Sequence, residues 1–140
     1  MKPKVLMTLM TATPKTILIT DDHSIIRSTL REWLSGEFPD LEVLEASSGE
    51  NALDILSDDI SPDLVVLDFH LPGASGIDIT RKIKKDYPQL PVLILTIQED
   101  QQYIDKAREA GADGYVIKRH MYNDLIPNIL SIINKHEIEN

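Results

Sequence analysis

From residue 15 onward, short wholly apolar runs alternate with longer stretches in which apolar residues recur every three or four positions. The short runs read as strands: Ile17-Leu18-Ile19, Leu64 to Leu67, Val92 to Leu95 and Gly114 to Ile117. Leu41 to Ala46 alternates instead, with Leu41, Val43 and Glu45 on one face. The longer stretches read as helices. Ile26, Leu30, Trp33 and Leu34 form one stripe, with Gly36 near its end. Ser48 is placed to cap a second helix carrying Ala52, Leu53 and Leu56. Ile77 or Ile79, with Thr80 and Ile83, marks a third, and Pro88 and Pro91 bracket its exit. Ile104, Ala107 and Ala110 suit a fourth, ending at Gly111. Leu125, Ile126, Ile129, Leu130, Ile132 and Ile133 give a broad stripe on a fifth, with Pro127 in an early turn or at a kink.

Strands that are apolar throughout must be covered on both faces. Four of them and one alternating strand, interleaved with five helices, predict an α/β fold, a doubly wound parallel sheet with helices on either side. Right-handed crossovers leave few ways to connect it. In such sheets ligands bind beyond the carboxyl ends of the strands.

Composition narrows the classes. The chain has 140 residues, 42% of them hydrophobic and 26% charged, which suits one globular domain rather than a disordered segment. The net charge of −9 argues against nucleic-acid binding by this chain and against an anionic membrane surface. With no cysteine, disulfides and thiolate metal sites are excluded, which fits a cytoplasmic setting. No apolar run reaches the length of about 18 residues that a membrane span needs. The opening MKPKVLMTLMTATPK imitates a signal peptide only faintly, because its apolar part is short and broken by threonines. Residues 1–14 are therefore expected to form a flexible leader, residues 15–137 the domain, and residues 138–140 a tail or the start of a linker.

The candidate chemistry lies where the strands stop. The first ends in Asp21-Asp22, the third in Asp68, the fourth in Thr96 and the fifth in Lys118. Singly, each has a plain structural reading. Asp21 and Asp22 could cap the first helix, Asp68 a turn, Thr96 is a β-branched strand residue, and Lys118 could be solvated. The topology, however, brings all five to one rim. Clustered carboxylates repel, so the site should take a cation, and an all-oxygen set suits Mg²⁺ or Mn²⁺. One carboxylate could then act as a nucleophile on phosphorus. The Lys ammonium and the Thr hydroxyl would neutralise the oxygens of the transferring phosphoryl group.

The stretches ILITDDH, DLVVLDFHLPGASG, VLILT and GYVIK together resemble the receiver domain of two-component response regulators. DDHSIIRSTL and the LPGASG turn further resemble the subfamily with helix-turn-helix (LuxR/NarL-like) output domains. The resemblance spans Lys15 to about His136 and implies the receiver fold, with strand order 2-1-3-4-5; a chemotaxis member of the family is a standard example of that order. It implies that Asp68 is the phosphoacceptor and that Asp22, Asp21 (through water), Asp68 and the backbone carbonyl of His70 hold the metal. Lys118 would pair with Asp68 and then with the phosphoryl group. Thr96 and Tyr115 would form the switch. The implied partner is a sensor histidine kinase or phosphotransfer protein. The implied output is a change on the face of the fourth helix, fifth strand and fifth helix, where a homodimer could also form. The expected function is a phosphorylatable switch controlling transcription through a DNA-binding domain absent from this chain, with no membrane contact.

The alternative is a receiver-like interaction module that works without phosphorylation. A multiple-turnover phosphatase is not expected, because such enzymes resemble a D-x-D pattern and Asp68-Phe69-His70 lacks the second acid. The chain departs from the family pattern in places. Ile97 stands where a small residue is usual and is expected to slow exchange with small phosphodonors. Arg119 stands where proline is common, so a cis bond is not expected there. His70 and Gln98 occupy the variable positions flanking the acceptor and the switch threonine.

Overall fold

The computed structural model describes residues 12–139, and the side chains as far as residue 136. The five strands are β1 (Thr16–Thr20), β2 (Glu42–Ala46), β3 (Leu64–Leu67), β4 (Val92–Thr96) and β5 (Gly114–Ile117). The helices are α1 (Ser24–Glu37), α2 (Gly49–Ser57), α3 (Gly76–Asp86), α4 (Gln101–Glu109) and α5 (Met121–Glu139). The strands form one sheet with every pair parallel, as the sequence pattern predicts, and in the order β2-β1-β3-β4-β5 that the receiver resemblance implies.

The apolar strands divide their side chains between two cores. Ile17, Ile19, Leu64, Val66, Leu93 and Leu95 pack with Leu30 and Leu34 of α1 and Leu125 and Ile129 of α5. Leu18, Val65, Leu67, Val92 and Ile94 pack on the other face with residues of α2, α3 and α4, among them Leu56, Ile79 and Ala107. Alternation within a strand is hidden in the sequence because both faces are covered. Each fully buried leucine or isoleucine in these layers contributes about 1.5–3 kcal/mol of burial.

Local chemistry sets the helix starts. Ser48 and Ser75 accept hydrogen bonds from Asn51 N and Asp78 N, capping α2 and α3. Gly111, at φ +101°, lets the chain turn after α4 into β5. Pro127 lies in the second turn of α5, which runs on through it. The periodicity did not predict a single 3₁₀ turn, Lys118–His120, between β5 and α5. Residues 1–11 of the expected leader lie outside the described residues. Its last residues are tied down: Ala12 N donates to Asn134 Oδ1 at 2.7 Å, and Asn134 Nδ2 donates back to Ala12 O at 3.1 Å. Among the described residues, no helix is long and apolar enough to cross a membrane.

Candidate functional site

Parallel pairing sets the strand ends side by side. Thr20 stands opposite both Ala46 and Leu67, and Thr96 opposite Ile117. The residues that follow these ends therefore share a rim. Two ladders run one step beyond β1 and fix the backbone of both buried acids. Asp21 N donates to Ala46 O, and Asp68 N donates to Thr20 O, each at 3.1 Å.

Lys118 reaches across this rim. Its Nζ donates to Asp21 Oδ2 at 3.0 Å and to Asp68 Oδ2 at 3.1 Å. All three groups are largely buried. Asp22 is about a third exposed, with its carboxylate beside His23 Nδ1 at 3.1 Å. The same ring nitrogen lies 3.0 Å from Asp21 Oδ1. Neither acid caps α1; the N-cap is His23, whose side chain makes no capping bond.

The carboxylates differ in character. Burial disfavours the charge of Asp21, but the His23 N–H, the Lys118 ammonium and the His23 ring outweigh it and hold the carboxyl below its ordinary range. Burial dominates at Asp68 and raises its pKa, with Asp21 adding repulsion, although Lys118 and the His70 N–H work the other way. Burial also works against the charge of Lys118, but its two carboxylate partners more than compensate, so the ammonium is held tightly.

Asp21, Asp22, His23 and Asp68 each offer one ligand atom, all within 4.8 Å of one another. Three carboxylates facing one ammonium leave a local excess of negative charge. An oxygen-rich set of this kind fits a hard divalent cation such as Mg²⁺. His23 is the member that sequence reasoning did not single out. Its place directly after the acid pair was the available signal.

The other expected residues stand around this cluster. Thr96 is fully buried, and its Oγ1 accepts from Gln98 N at 3.3 Å. Tyr115 donates its hydroxyl proton to Gln98 O at 2.8 Å. Burial, with the neighbouring Tyr103 and Asp100, pushes its pKa up to about 12, so the phenol stays protonated. His70 N donates to Asp68 Oδ1 at 3.2 Å. The side chains of His70 and Gln98 meet across the site mouth, amide nitrogen to Nε2, at 2.7 Å. Ile97 points outward, 67% exposed, at the lip of the site. Arg119 pairs with Glu99, and no peptide bond among the described residues is cis.

Gly76 opens α3 directly beneath the loop that follows Asp68. Its N donates to Phe69 O at 2.7 Å, and a Cβ there would lie 2.2 Å from the backbone oxygen of Asp68. Only glycine permits that approach. At Gly73, φ is +79°, which turns the chain between Asp68 and α3.

Comparison with known proteins agrees with this geometry. Residues 17–130 match the family model of the response regulator receiver domain. The nitrate/nitrite response regulator protein NarL of Escherichia coli is 32% identical over 81% of this chain and 52% of its own length. The chain spans about half the length of the curated relatives it matches. A two-component response regulator of the LuxR family from Aurantimonas superposes with a TM-score of 0.81 at 34% identity, covering 89% of this chain and 87% of that one. TrrA of Thermotoga maritima, solved in complex with Mg²⁺ and BeF, superposes with a TM-score of 0.74 at 33% identity, covering 84% of this chain and 98% of that one. A rim of acids with one bridging lysine, on a 2-1-3-4-5 sheet among such relatives, places the chain in the response regulator receiver domain family, close to regulators of the LuxR/NarL type.

Proposed function

We propose that the domain, residues 15–137, is a phosphorylation-controlled switch in a two-component system and that Asp68 is its phosphoacceptor. An Asp68 carboxylate oxygen attacks the phosphorus of a phosphohistidine on a sensor kinase or phosphotransfer protein. The P–N bond breaks, its electrons return to the imidazole, and an acyl phosphate remains on Asp68. Lys118 holds the carboxylate beforehand and follows the phosphoryl oxygens afterwards. Asp21, Asp22, Asp68 and the His70 carbonyl would hold Mg²⁺, which when bound neutralises carboxylates and phosphoryl oxygens.

The observation that carries this reading is the Lys118 bridge between Asp21 and Asp68. A module that only docks partners needs no such bridge. The new phosphoryl oxygens accept the Thr96 hydroxyl proton and draw Oγ1 towards Asp68, away from its present donor, Gln98 N. Loss of that bond frees the loop that also carries the Tyr115 contact at Gln98 O. The α4-β5-α5 face thereby responds to phosphorylation. That face is where we place output, dimerisation and, through a DNA-binding domain on the full regulator, control of transcription in the cytoplasm. Incubation with acetyl phosphate should give a Mg²⁺-dependent, EDTA-sensitive phosphoryl label that is lost in Asp68→Asn. Labelling of that variant at the wild-type level overturns the reading.

A further inference from the structure

The Asp21–Asp22 loop is short, and one of its acids is partly exposed, yet a side chain outside the rim grips it. Arg27, in the first turns of α1, turns back and donates from Nη1 to the backbone oxygen of Asp21 at 2.6 Å. Its Nε donates to Glu45 Oε1 on β2 at 3.2 Å. The second oxygen of Glu45 is taken by Arg31, one helical turn further on, at 2.8 Å, and Arg31 also donates to Val43 O at 3.0 Å. The Arg27 side chain is only 17% exposed. The peptide planes on either side of Asp21 are therefore both held: its N–H by Ala46 O and its C=O by a guanidinium anchored in the neighbouring strand.

Fixing the Asp21–Asp22 peptide fixes where the Asp22 carboxylate starts. Among the described residues, His23 is the basic side chain paired with that carboxylate. We infer that Arg27, anchored by Glu45, is a positioning residue that sets the divalent-cation affinity of the Asp21–Asp22 loop. It touches neither the cation nor the reacting atoms. It acts through the loop, as outer-shell partners of metal ligands do. Its two bonds come from different nitrogens of one planar fork, which a lysine ammonium cannot reproduce. The inference rests on the cation site of the proposed function and adds what holds that site ready.

Charge and positioning make opposite predictions here. Removing a cation beside an acidic site should, by Coulomb's law alone, tighten Mg²⁺ binding. Losing the loop anchor should weaken it. The test is binding of Mg²⁺ by calorimetry, and of Mn²⁺ by the resonance of the free ion, to the full 140-residue chain without phosphodonor. Arg27→Gln should weaken both cations by about tenfold, the range seen when outer-shell partners are lost. Arg27→Lys keeps the charge and most of the packing, so it should fold even where the glutamine variant does not. It should still bind more weakly than wild type. Lys84→Gln removes a cation of similar burial at the opposite end of the sheet. It should lower the melting temperature while leaving both affinities unchanged.

Wild-type affinity in Arg27→Lys, or tighter binding in Arg27→Gln, overturns the inference and leaves the proposed function standing. A wild-type chain that binds neither cation overturns both.

Discussion

The two rims of the sheet use the same residue types for different ends. At the amino-end rim, Asp63 precedes β3 and accepts from the backbone N–H groups of Lys15 and Thr16, at 2.7 and 3.0 Å, where β1 begins. Asp113 precedes β5 and does the same for β4, accepting from Val92 N at 2.9 Å. Lys84 closes that site, with Nζ 2.8 Å from Asp113. Each acid there accepts from backbone N–H groups at the start of a neighbouring strand. At the carboxyl-end rim, Asp21, Asp22 and Asp68 are gathered within reach of one another, with Lys118 on two of them. At the first rim the acids serve mainly the backbone; at the other Asp21 and Asp68 each take one backbone N–H, from His23 and His70, and turn their second oxygens to Lys118. The partner, not the residue type, separates structure from chemistry.

The largest test of that contrast is a pair of lysine deletions. Lys118→Ala should slow phosphoryl labelling about 10²-fold, the typical loss of one electrostatic stabiliser. Lys84→Ala should leave the labelling rate unchanged and lower the unfolding free energy. Labelling kinetics with acetyl phosphate, beside denaturant titrations, distinguish the two.

Next are the amino-end acids. Asp63→Ala and Asp113→Ala should each cost about 1–3 kcal/mol, since each leaves backbone donors unpaired. Neither should change labelling once folded. A labelling defect at full folding would break the division between the rims.

The buried carboxyl-end acids should move stability in opposite directions. For a group whose folded pKa lies below its unfolded value of 3.8, as at Asp21, the stabilisation is present above that value and is lost as pH falls through the folded pKa. For Asp68 the folded pKa lies above 3.8, so its ionisation penalises the folded state as pH rises through the folded pKa. Without metal at pH 7, Asp68→Asn should therefore melt higher and Asp21→Asn lower. Each kcal/mol corresponds to roughly 3–5 °C at this chain length. The Asp68→Asn gain should vanish on acidification below 3.8. Calorimetric melts across pH read both signs.

The smallest effect belongs to Ile97. A bulky residue there suggested a narrowed entrance, but the side chain stands outward at the lip. Ile97→Ala should raise the labelling rate with acetyl phosphate only about two- to threefold, near 0.5 kcal/mol of barrier.

What the sequence revealed follows from the range of each interaction. Leu64 to Leu67 showed a doubly covered strand because burial leaves its mark on every residue of the run. The rim residues Asp21, Asp68, Thr96 and Lys118 stood out because each follows or ends such a run, and parallel order aligns the ends. Arg27 and Glu45 did not. Their contact joins a helix to a neighbouring strand, and the pattern of either element alone shows only a charged residue. The meeting of His70 with Gln98 depends on loop shape, and the 3₁₀ turn at Lys118–His120 depends on how β5 hands over to α5. The amino-end pairing of Asp63 with the start of β1 was equally hidden, because it is a side-chain bond to backbone across the sheet.

The central claim is that the charge gathered at the carboxyl-end rim exists to make Asp68 a phosphoryl acceptor. Borohydride reduction of the protein labelled with acetyl phosphate tests this most directly, because it converts an aspartyl phosphate into homoserine. Peptide mapping should find homoserine at residue 68 alone, and only when Mg²⁺ was present during labelling. Labelled protein with intact Asp68 and the phosphoryl group on His23, His70 or another residue would contradict the account.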